Sequence, residues 1–444
     1  MRPTSFMFFG DFPLSSPFFE RDDGLFRKSR KAVILTACAP LFIDTFSSGL
    51  LVPILPHALE HYYLIDPEYS GLIFSAYSLG AIVMMPVFGY LNDKYPQYQK
   101  KFMIAGYIGM VIASLMMLYS HALYVLVISR LISGLCSAIF WNCSMCLITR
   151  VARKDLGFLM GIALTCHSVG FAIGPIVGGL LYDYLSIGYV FYSTVVLSFI
   201  GIGLRMYICE KRAIKRTQNS SEVRTSLSVV PFIKIVKSPK VLYGSFISLA
   251  FGIILSSFEP VLPFFLIEQY KLSASVVGAI YIAIILPNIF FSAKFGKMSD
   301  SYGSKRFIVI GLLIGIASCA CLGLVDNIFV LVVMLFLIGL SDSLSLTPLY
   351  QLIGTAHIST HNKSYALLNG SYAVGTLLGP LCGNEIYFQF GFKVLLSCLA
   401  TILAVCLLVT TAMNLKAPKK RRSSNISSTL LNESTDSIDS YGYI

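Results

Sequence analysis

Five ionisable side chains stand inside stretches of sequence that are otherwise apolar: Asp44, Arg130, Glu259, Asp342 and Glu385. Each costs about 2.5–3.5 kcal/mol to place in hydrocarbon, so each is a functional candidate by default. Arg130 can neutralise one carboxylate. The others must be protonated, hydrogen-bonded or paired with a bound cation. That is the chemistry of a site that trades protons for a positively charged solute. Competing structural roles are simple: Asp44 or Glu259 could cap an unwound helical turn, and Arg130 could pack its own helix.

The elements that must position these groups follow from composition. The chain has 444 residues, 56 % hydrophobic and 13 % charged, roughly half the charged fraction of an average soluble domain. So few ionisable groups cannot cover the surface of a soluble protein this large, which excludes a soluble enzyme or a nucleic-acid binder. Apolar stretches near the length of a bilayer core recur. They fall at about 32–57, 69–91, 102–120, 122–149, 156–182, 188–209, 241–267, 273–296, 305–325, 327–353, 364–388 and 393–413. The predicted fold is an all-α membrane protein of about 12 transmembrane helices in two six-helix bundles, 32–209 and 241–413.

The net charge of +12 sorts by side of the membrane. Lys94, Lys100, Lys101, Arg150, Arg153, Lys154, Lys211, Arg212, Lys297, Lys305 and Arg306 follow even-numbered spans, whereas the alternate loops carry little beyond Lys271 and Lys393. This bias places both termini in the cytoplasm. The segment 1–31, the linker 210–240 and the Ser-rich tail 414–444 are then cytoplasmic, the tail being predicted disordered. Cysteines such as Cys319, Cys321 and Cys406 lie in apolar runs and read as small buried hydrophobes. The six histidines are scattered, and no metal site or cofactor is expected. No phosphate-binding loop or nucleophile elbow appears, so any work done on a solute must draw on a gradient.

The halves echo each other. Val52-Pro53-Ile54-Leu55-Pro56 recurs as Glu259-Pro260-Val261-Leu262-Pro263, and Gly89-Tyr90-Leu91-Asn92-Asp93 as Gly296-Lys297-Met298-Ser299-Asp300, each 207 residues on. Gly170, Gly174, Pro175 and Gly178 in span 5 recur 205 residues on as Gly375, Gly379, Pro380 and Gly383 in span 11. Two similar six-helix units place a solute site at the midplane between them. The glycines permit close helix approach and the prolines bend the helix there. Asp93 and Asp300, with Gly89, Gly296 and Lys94, are placed to form a latch that breaks as the halves rock.

These motifs resemble the major facilitator superfamily: the Gly89–Lys94 loop and its copy with Gly303 and Lys305, Arg130-x-x-x-Gly134 in span 4, and the Gly-Pro-Gly series of its proton-coupled antiporters. Pro96 departs from that pattern, standing where the family has glycine. Further stretches resemble the vesicular amine transporters, a branch of the drug:proton antiporters. They are Phe42-Ile43-Asp44 through Pro56, Pro231 through Pro239, Phe258-Glu259-Pro260-x-x-Pro263, Met160–Leu164, Asp342-Ser343, and Tyr365-Ala366 to Pro380. The resemblance implies that Asp44 binds a substrate amine and that Glu259 and Asp342 serve transport and proton coupling.

Two departures go together. Tyr77 stands where that family has a lysine and Asn369 where it has the partnering aspartate. Losing both members of an ion pair costs little, whereas losing one strands a charge at about 3–5 kcal/mol. Tyr77 and Asn369 are therefore expected to meet across the halves as a neutral hydrogen bond. The short segment from His57 to Ser70 replaces a long lumenal loop, which argues against monoamine specificity. Tyr77, Phe140, Trp141 and Tyr372 are candidates to line a cavity and offer cation–π contacts.

The expected function is proton-coupled antiport of a basic or cationic organic solute by alternating access. The expected partners are a small cationic molecule, protons and the lipid bilayer, with no nucleic acid, and a monomer is expected. Two alternatives stand beside it: a carrier of a neutral or anionic solute by symport or uniport, and a transporter-like sensor. An anion carrier would be expected to show an intramembrane cluster of basic residues, and a sensor a longer cytoplasmic extension.

Overall fold

The computed structural model describes residues 30–151, 156–208, 238–323, 327–356 and 361–413. The predicted N-terminal segment, the 210–240 linker and the 414–444 tail lie almost wholly outside the described residues. Twelve long helices are present among the described residues. The first six are α1 Arg30–Leu51, α2 Ser70–Lys94, α3 Gln99–Tyr119, α4 Leu123–Val151, α5 Leu156–Tyr184 and α6 Ile187–Tyr207. The second six are α7 Pro239–Tyr270, α8 Ala274–Tyr302, α9 Ser304–Leu322, α10 Ile328–Ala356, α11 His361–Phe390 and α12 Phe392–Ala412. Eleven are long and apolar enough to cross a membrane by composition. The exception is α11, diluted by polar residues such as Asn369, Ser371, Asn384 and Glu385.

Span 1 ends earlier than the sequence suggests. The helix stops at Leu51 and resumes as a short turn at Leu55–Ala58. Pro53 and Pro56 explain the break, since proline lacks the N–H a continuous helix needs and its ring clashes with the preceding turn. At the cytoplasmic end, Gly303 turns the chain between α8 and α9 with φ +93, a conformation glycine adopts without strain. The matching turn after α2 dispenses with a left-handed residue: Tyr95 keeps a negative φ of −127 with ψ 59, and Pro96 opens a short 3-10 turn to Tyr98. That is how Pro96 is tolerated where a glycine was expected.

The two bundles repeat one set of packings. Glycines at positions 170, 174 and 178 bring α5 against α1. A Cβ on Gly178 would lie 2.3 Å from the Leu50 carbonyl oxygen, and one on Gly174 2.7 Å from that of Phe46. In the second bundle Gly375 and Gly379 press α11 on α7, at 2.4 Å from the Leu249 oxygen and 2.5 Å from the Ile253 oxygen. Gly134 on α4 and Gly339 on α10, 205 apart, approach Tyr77 and Ile284, 207 apart, each at 1.9 Å from a carbonyl oxygen. The duplication read from three motifs therefore extends to the helix contacts themselves.

Of the cysteines, Cys319 and Cys406 are buried as expected, but Cys321 is exposed. It follows Cys319 by two residues on α9, which turns it away from the packed face. Arg205, close to the cytoplasmic end of α6, is a second buried cation at 1 % exposure. It corrects the reading of Arg130 as the sole cation in the spans. Its neighbourhood includes Cys143 and Tyr107, within the first bundle.

Candidate functional site

Asp44 is fully buried on α1, about 14 residues or roughly 21 Å of rise from the helix start. Its carboxylate accepts hydrogen bonds from Ser137 Oγ of α4 at 2.6 Å and from the Tyr77 hydroxyl of α2 at 3.1 and 3.2 Å. Tyr77 also reaches Ser137 Oγ at 2.8 Å. Ser137 was missed by sequence reading, although Arg130, Ser133 and Ser137 fall on one face of α4 at helical spacing. Arg130, 3 % exposed, does not pair with Asp44. Its guanidinium lies over the Tyr77 ring at 4.9 Å and the Phe74 ring at 5.9 Å. Desolvated cation–π contacts of this kind contribute about 2 kcal/mol.

In the second bundle Asp342 of α10 is 4 % exposed, and its Oδ2 accepts from Asn288 Nδ2 of α8 at 2.7 Å. Its Oδ1 is buried with no partner among the described residues. Ser292, one turn beyond Asn288, bonds Ser343 at 3.0 Å beside it. Ser137 and Asp342 stand 205 residues apart, so the two bundles offer an acceptor network at equivalent places with the charge on different helices. Glu259, half-buried on α7, lies within electrostatic reach of Arg130, Tyr281 and Tyr372. No ion pair joins Arg130 to Glu259 or Asp44 among the described residues. Glu385 is exposed near the end of α11 and interacts with Gln389.

The expected Tyr77–Asn369 bond does not form. Tyr77 spends its hydroxyl on Asp44 and Ser137, while Asn369 Oδ1 accepts from Tyr350 of α10 at 2.7 Å. Each residue has found a partner in its own bundle: without opposite charges to draw them together, the phenol bonds the nearer carboxylate and serine, and the amide the nearer phenol. Phe140 is also reassigned: it is fully buried against Tyr107, with ring centroids 4.8 Å apart, in the packing of the first bundle. Trp141 sits by His167 at 5.1 Å, and Tyr372 keeps company with Glu259 and Asp342. Lys94 is exposed between the rings of Tyr90 and Tyr95, 5.4 Å from each. The side chains of Asp93 and Asp300 lie outside the described residues, as does the latch they were expected to form. Nearby, Gly89 faces Asn142, which ties α4 to α2 through the Met85 carbonyl at 3.3 Å.

Among the described residues, the hydrogen bonds joining the bundles all lie toward the end away from the basic loops. Ser75 and Ser78 of α2 donate to the Leu377 and Thr376 carbonyls of α11 at 2.9 and 3.2 Å. Ser70 bonds Asn384, which also donates to the Glu68 carbonyl. The motif prolines complete this seal. The Pro380 carbonyl oxygen would lie 2.3 Å from a Cβ on Gly71, and that of Pro175 2.2 Å from one on Gly278. Gly71 and Gly278 are 207 apart, so one contact is used twice. The glycines of the motif thus serve their own bundle while its proline carbonyls face the other.

Asp183 adds a contact with no equivalent. The carboxylate at the end of α5 accepts from the N–H groups of Ala274 and Ser275 at 3.3 and 2.8 Å, and from the Ser275 hydroxyl. Ser273, the N-cap of α8 itself, makes no side-chain cap bond. One bundle therefore caps a helix of the other, and separating them removes the cap. Asp183→Ala should cost the sealed state about 1 kcal/mol, a roughly fivefold shift toward opening. It should show as faster labelling of a cysteine introduced by Ser75→Cys with an impermeant reagent on the non-cytoplasmic side. Unchanged labelling would remove Asp183 from the seal.

Two six-helix bundles with duplicated packing, polar groups at their midline and a seal at one end define the architecture of an alternating-access membrane transporter. The chain belongs to the Major Facilitator Superfamily, whose pattern matches residues 39–354 and, in a second match, 246–435. Among relatives, the multidrug resistance protein MdtG of Salmonella choleraesuis (strain SC-B67) is 24 % identical over 367 residues, 79 % of this chain and 88 % of its own. An uncharacterized MFS-type transporter, C18.02 of Schizosaccharomyces pombe, is 23 % identical over 423 residues, 85 % of this chain and 94 % of its own. The solved structures share the fold. The nucleoside transporter NupG superposes with a TM-score of 0.67 at 16 % identity, over 86 % of this chain and 98 % of its own. The human organic anion transporter MFSD10 (TETRAN) gives 0.60 at 15 %, over 86 % and 99 %.

Proposed function

We propose that this transporter is a proton-coupled antiporter of a basic or cationic organic solute. The observation that carries the reading is that no ion pair joins the buried carboxylates to a protein cation among the described residues. Asp44 is held by hydroxyl donors alone, Asp342 leaves one oxygen unbonded, and Arg130 stacks on Tyr77 instead of pairing. A buried carboxylate so placed is satisfied by a proton or by a cation arriving from solution. Proton and solute then compete for one group, which is what antiport requires. The kinship with a multidrug resistance protein and the stretches similar to vesicular amine transporters favour an amine, polyamine or drug-like passenger.

The aromatic groups suit that passenger. Tyr281 and Tyr372 approach Glu259 from the second bundle and offer rings to an organic ammonium, while the Tyr77 ring is taken by Arg130. Reconstitution into liposomes with an imposed pH gradient and a panel of labelled organic cations, anions and nucleosides tests the assignment. Accumulation of a cation, collapsed by a protonophore, is expected. Gradient-independent uptake of a neutral or anionic solute instead would refute it and favour a uniporter.

A further inference from the structure

Arg130 has a second environment, a cavity whose lining does not include Glu259. Its Nε is buried without a hydrogen-bond partner among the described residues. A buried guanidinium nitrogen left unbonded forfeits a charged hydrogen bond, which contributes about 1.5–3 kcal/mol when made. The group borders a small cavity enclosed by α1, α3, α4 and α6, whose polar lining is Ser47, Ser114, Ser133 and Thr194. The cavity has about 10 Å³, the lower limit for a single water, so a halide enters only as the small lining side chains give way slightly. Thr194 donates to Ser47 at 3.2 Å, and Ser133 to the Ser129 carbonyl at 3.0 Å. The apolar wall is completed by residues near the non-cytoplasmic ends of these helices, among them Leu51 and Val190.

We propose that this cavity is a binding site for a small monovalent inorganic anion of halide size, held by the Arg130 guanidinium and the surrounding hydroxyls. A fixed cation beside the Ser47 and Ser114 hydroxyls, whose protons are not committed to a carbonyl as that of Ser133 is, with no carboxylate among the lining residues, selects an anion over a proton or metal ion. The titratable groups that face Arg130 are Asp44 of α1, Tyr77 of α2 and Glu259 of α7; α3 and α6 contribute only hydroxyls and apolar groups to the cavity. While both carboxylates are ionised they offset Arg130 and repel the anion. Once they carry protons or a cationic solute, the guanidinium loses its counter-charge, and the anion restores it. Anion and solute therefore promote each other's binding, and the linkage is reciprocal.

The test uses the purified full chain in chloride and in gluconate at equal ionic strength. Chloride is expected to raise the unfolding temperature, and crystals grown in bromide to show an anomalous peak beside Arg130 Nε. Thr194→Val and Ser114→Ala, which remove lining hydroxyls, should abolish the chloride effect while behaving as wild type in gluconate. Coincident chloride and gluconate curves for the wild type, or a cavity holding water alone in bromide, would overturn the assignment. These readouts need no substrate, so they stand if the antiport reading fails. The linked part rests on that reading: chloride should tighten binding of a transported cation about fivefold or more, and equal affinities in the two salts would refute it.

Discussion

Asp44→Asn is expected to abolish pH-driven uptake of a cationic solute while leaving insertion and folding intact. The amide has the shape of the carboxylate, so the cavity between α1, α2 and α4 stays filled. Its oxygen still accepts one hydrogen bond, from Ser137 or from Tyr77, whose hydroxyls now reach it at 2.6 and 3.1 Å. Two things are lost. An asparagine cannot give up or take a proton in the working range, so the exchange that couples the gradient has no carrier at this position. It also offers a dipole in place of a charge, and a charge-assisted hydrogen bond contributes about 1.5–3 kcal/mol, or roughly 10- to 100-fold in affinity. The measurement is initial uptake into acid-loaded proteoliposomes, beside equilibrium binding in the absence of a gradient. Wild-type accumulation in the variant would remove Asp44 from the site. Binding retained with accumulation lost would assign it to protons alone.

The parts of the fold that were legible in the sequence share one property: they are set by local pattern. Span count follows from hydrophobic length, orientation from Lys/Arg bias, and a close helix approach in spans 5 and 11 from glycines one turn apart, though not which helix approaches. Where the pattern is diluted, reading blurs, as on α11, whose polar residues include Asn384 of the seal. What the sequence hid depends on distant partners. The resemblance implies that Tyr77 and Asn369 meet across the halves, but the sequence does not show that each bonds within its own bundle. Asp183 looks like an ordinary helix-end carboxylate until α8 is placed against it, because the cap it supplies is for a helix 91 residues on. Ser137 is equivalent to Asp342 only through the repeat, and a serine in an apolar helix draws no notice by itself. Arg205, close to a span end, draws no notice in the sequence, yet it is among the most buried side chains.

The seal between the bundles gives the other large effect. Gly278→Leu should prevent the non-cytoplasmic end from closing. A Cβ there would sit 2.2 Å from the Pro175 carbonyl oxygen and 2.6 Å from its carbon, backbone atoms that can retreat only if α5 and α8 separate. Overpacking a tight contact costs typically about 1–3 kcal/mol, so the sealed state loses roughly 5- to 150-fold in population. The packing inside each bundle is untouched, because Gly278 faces the opposite bundle. The protein is therefore expected to fold and to bind solute, yet to cycle at a small fraction of the wild-type rate. Closure can be followed by oxidising a cysteine pair made by Ser70→Cys and Asn384→Cys, whose side chains now bond at 3.1 Å. Cross-linking should be rapid with Gly278 in place and slow with leucine there. Gly203→Leu is the control, since a Cβ at that position meets nothing within 4 Å. Equal cross-linking and uptake in Gly278→Leu and the control would mean that the proline–glycine contacts are incidental to closure. Loss in Gly71→Leu as well, with solute binding retained, would establish that one duplicated contact governs both seams between the bundles.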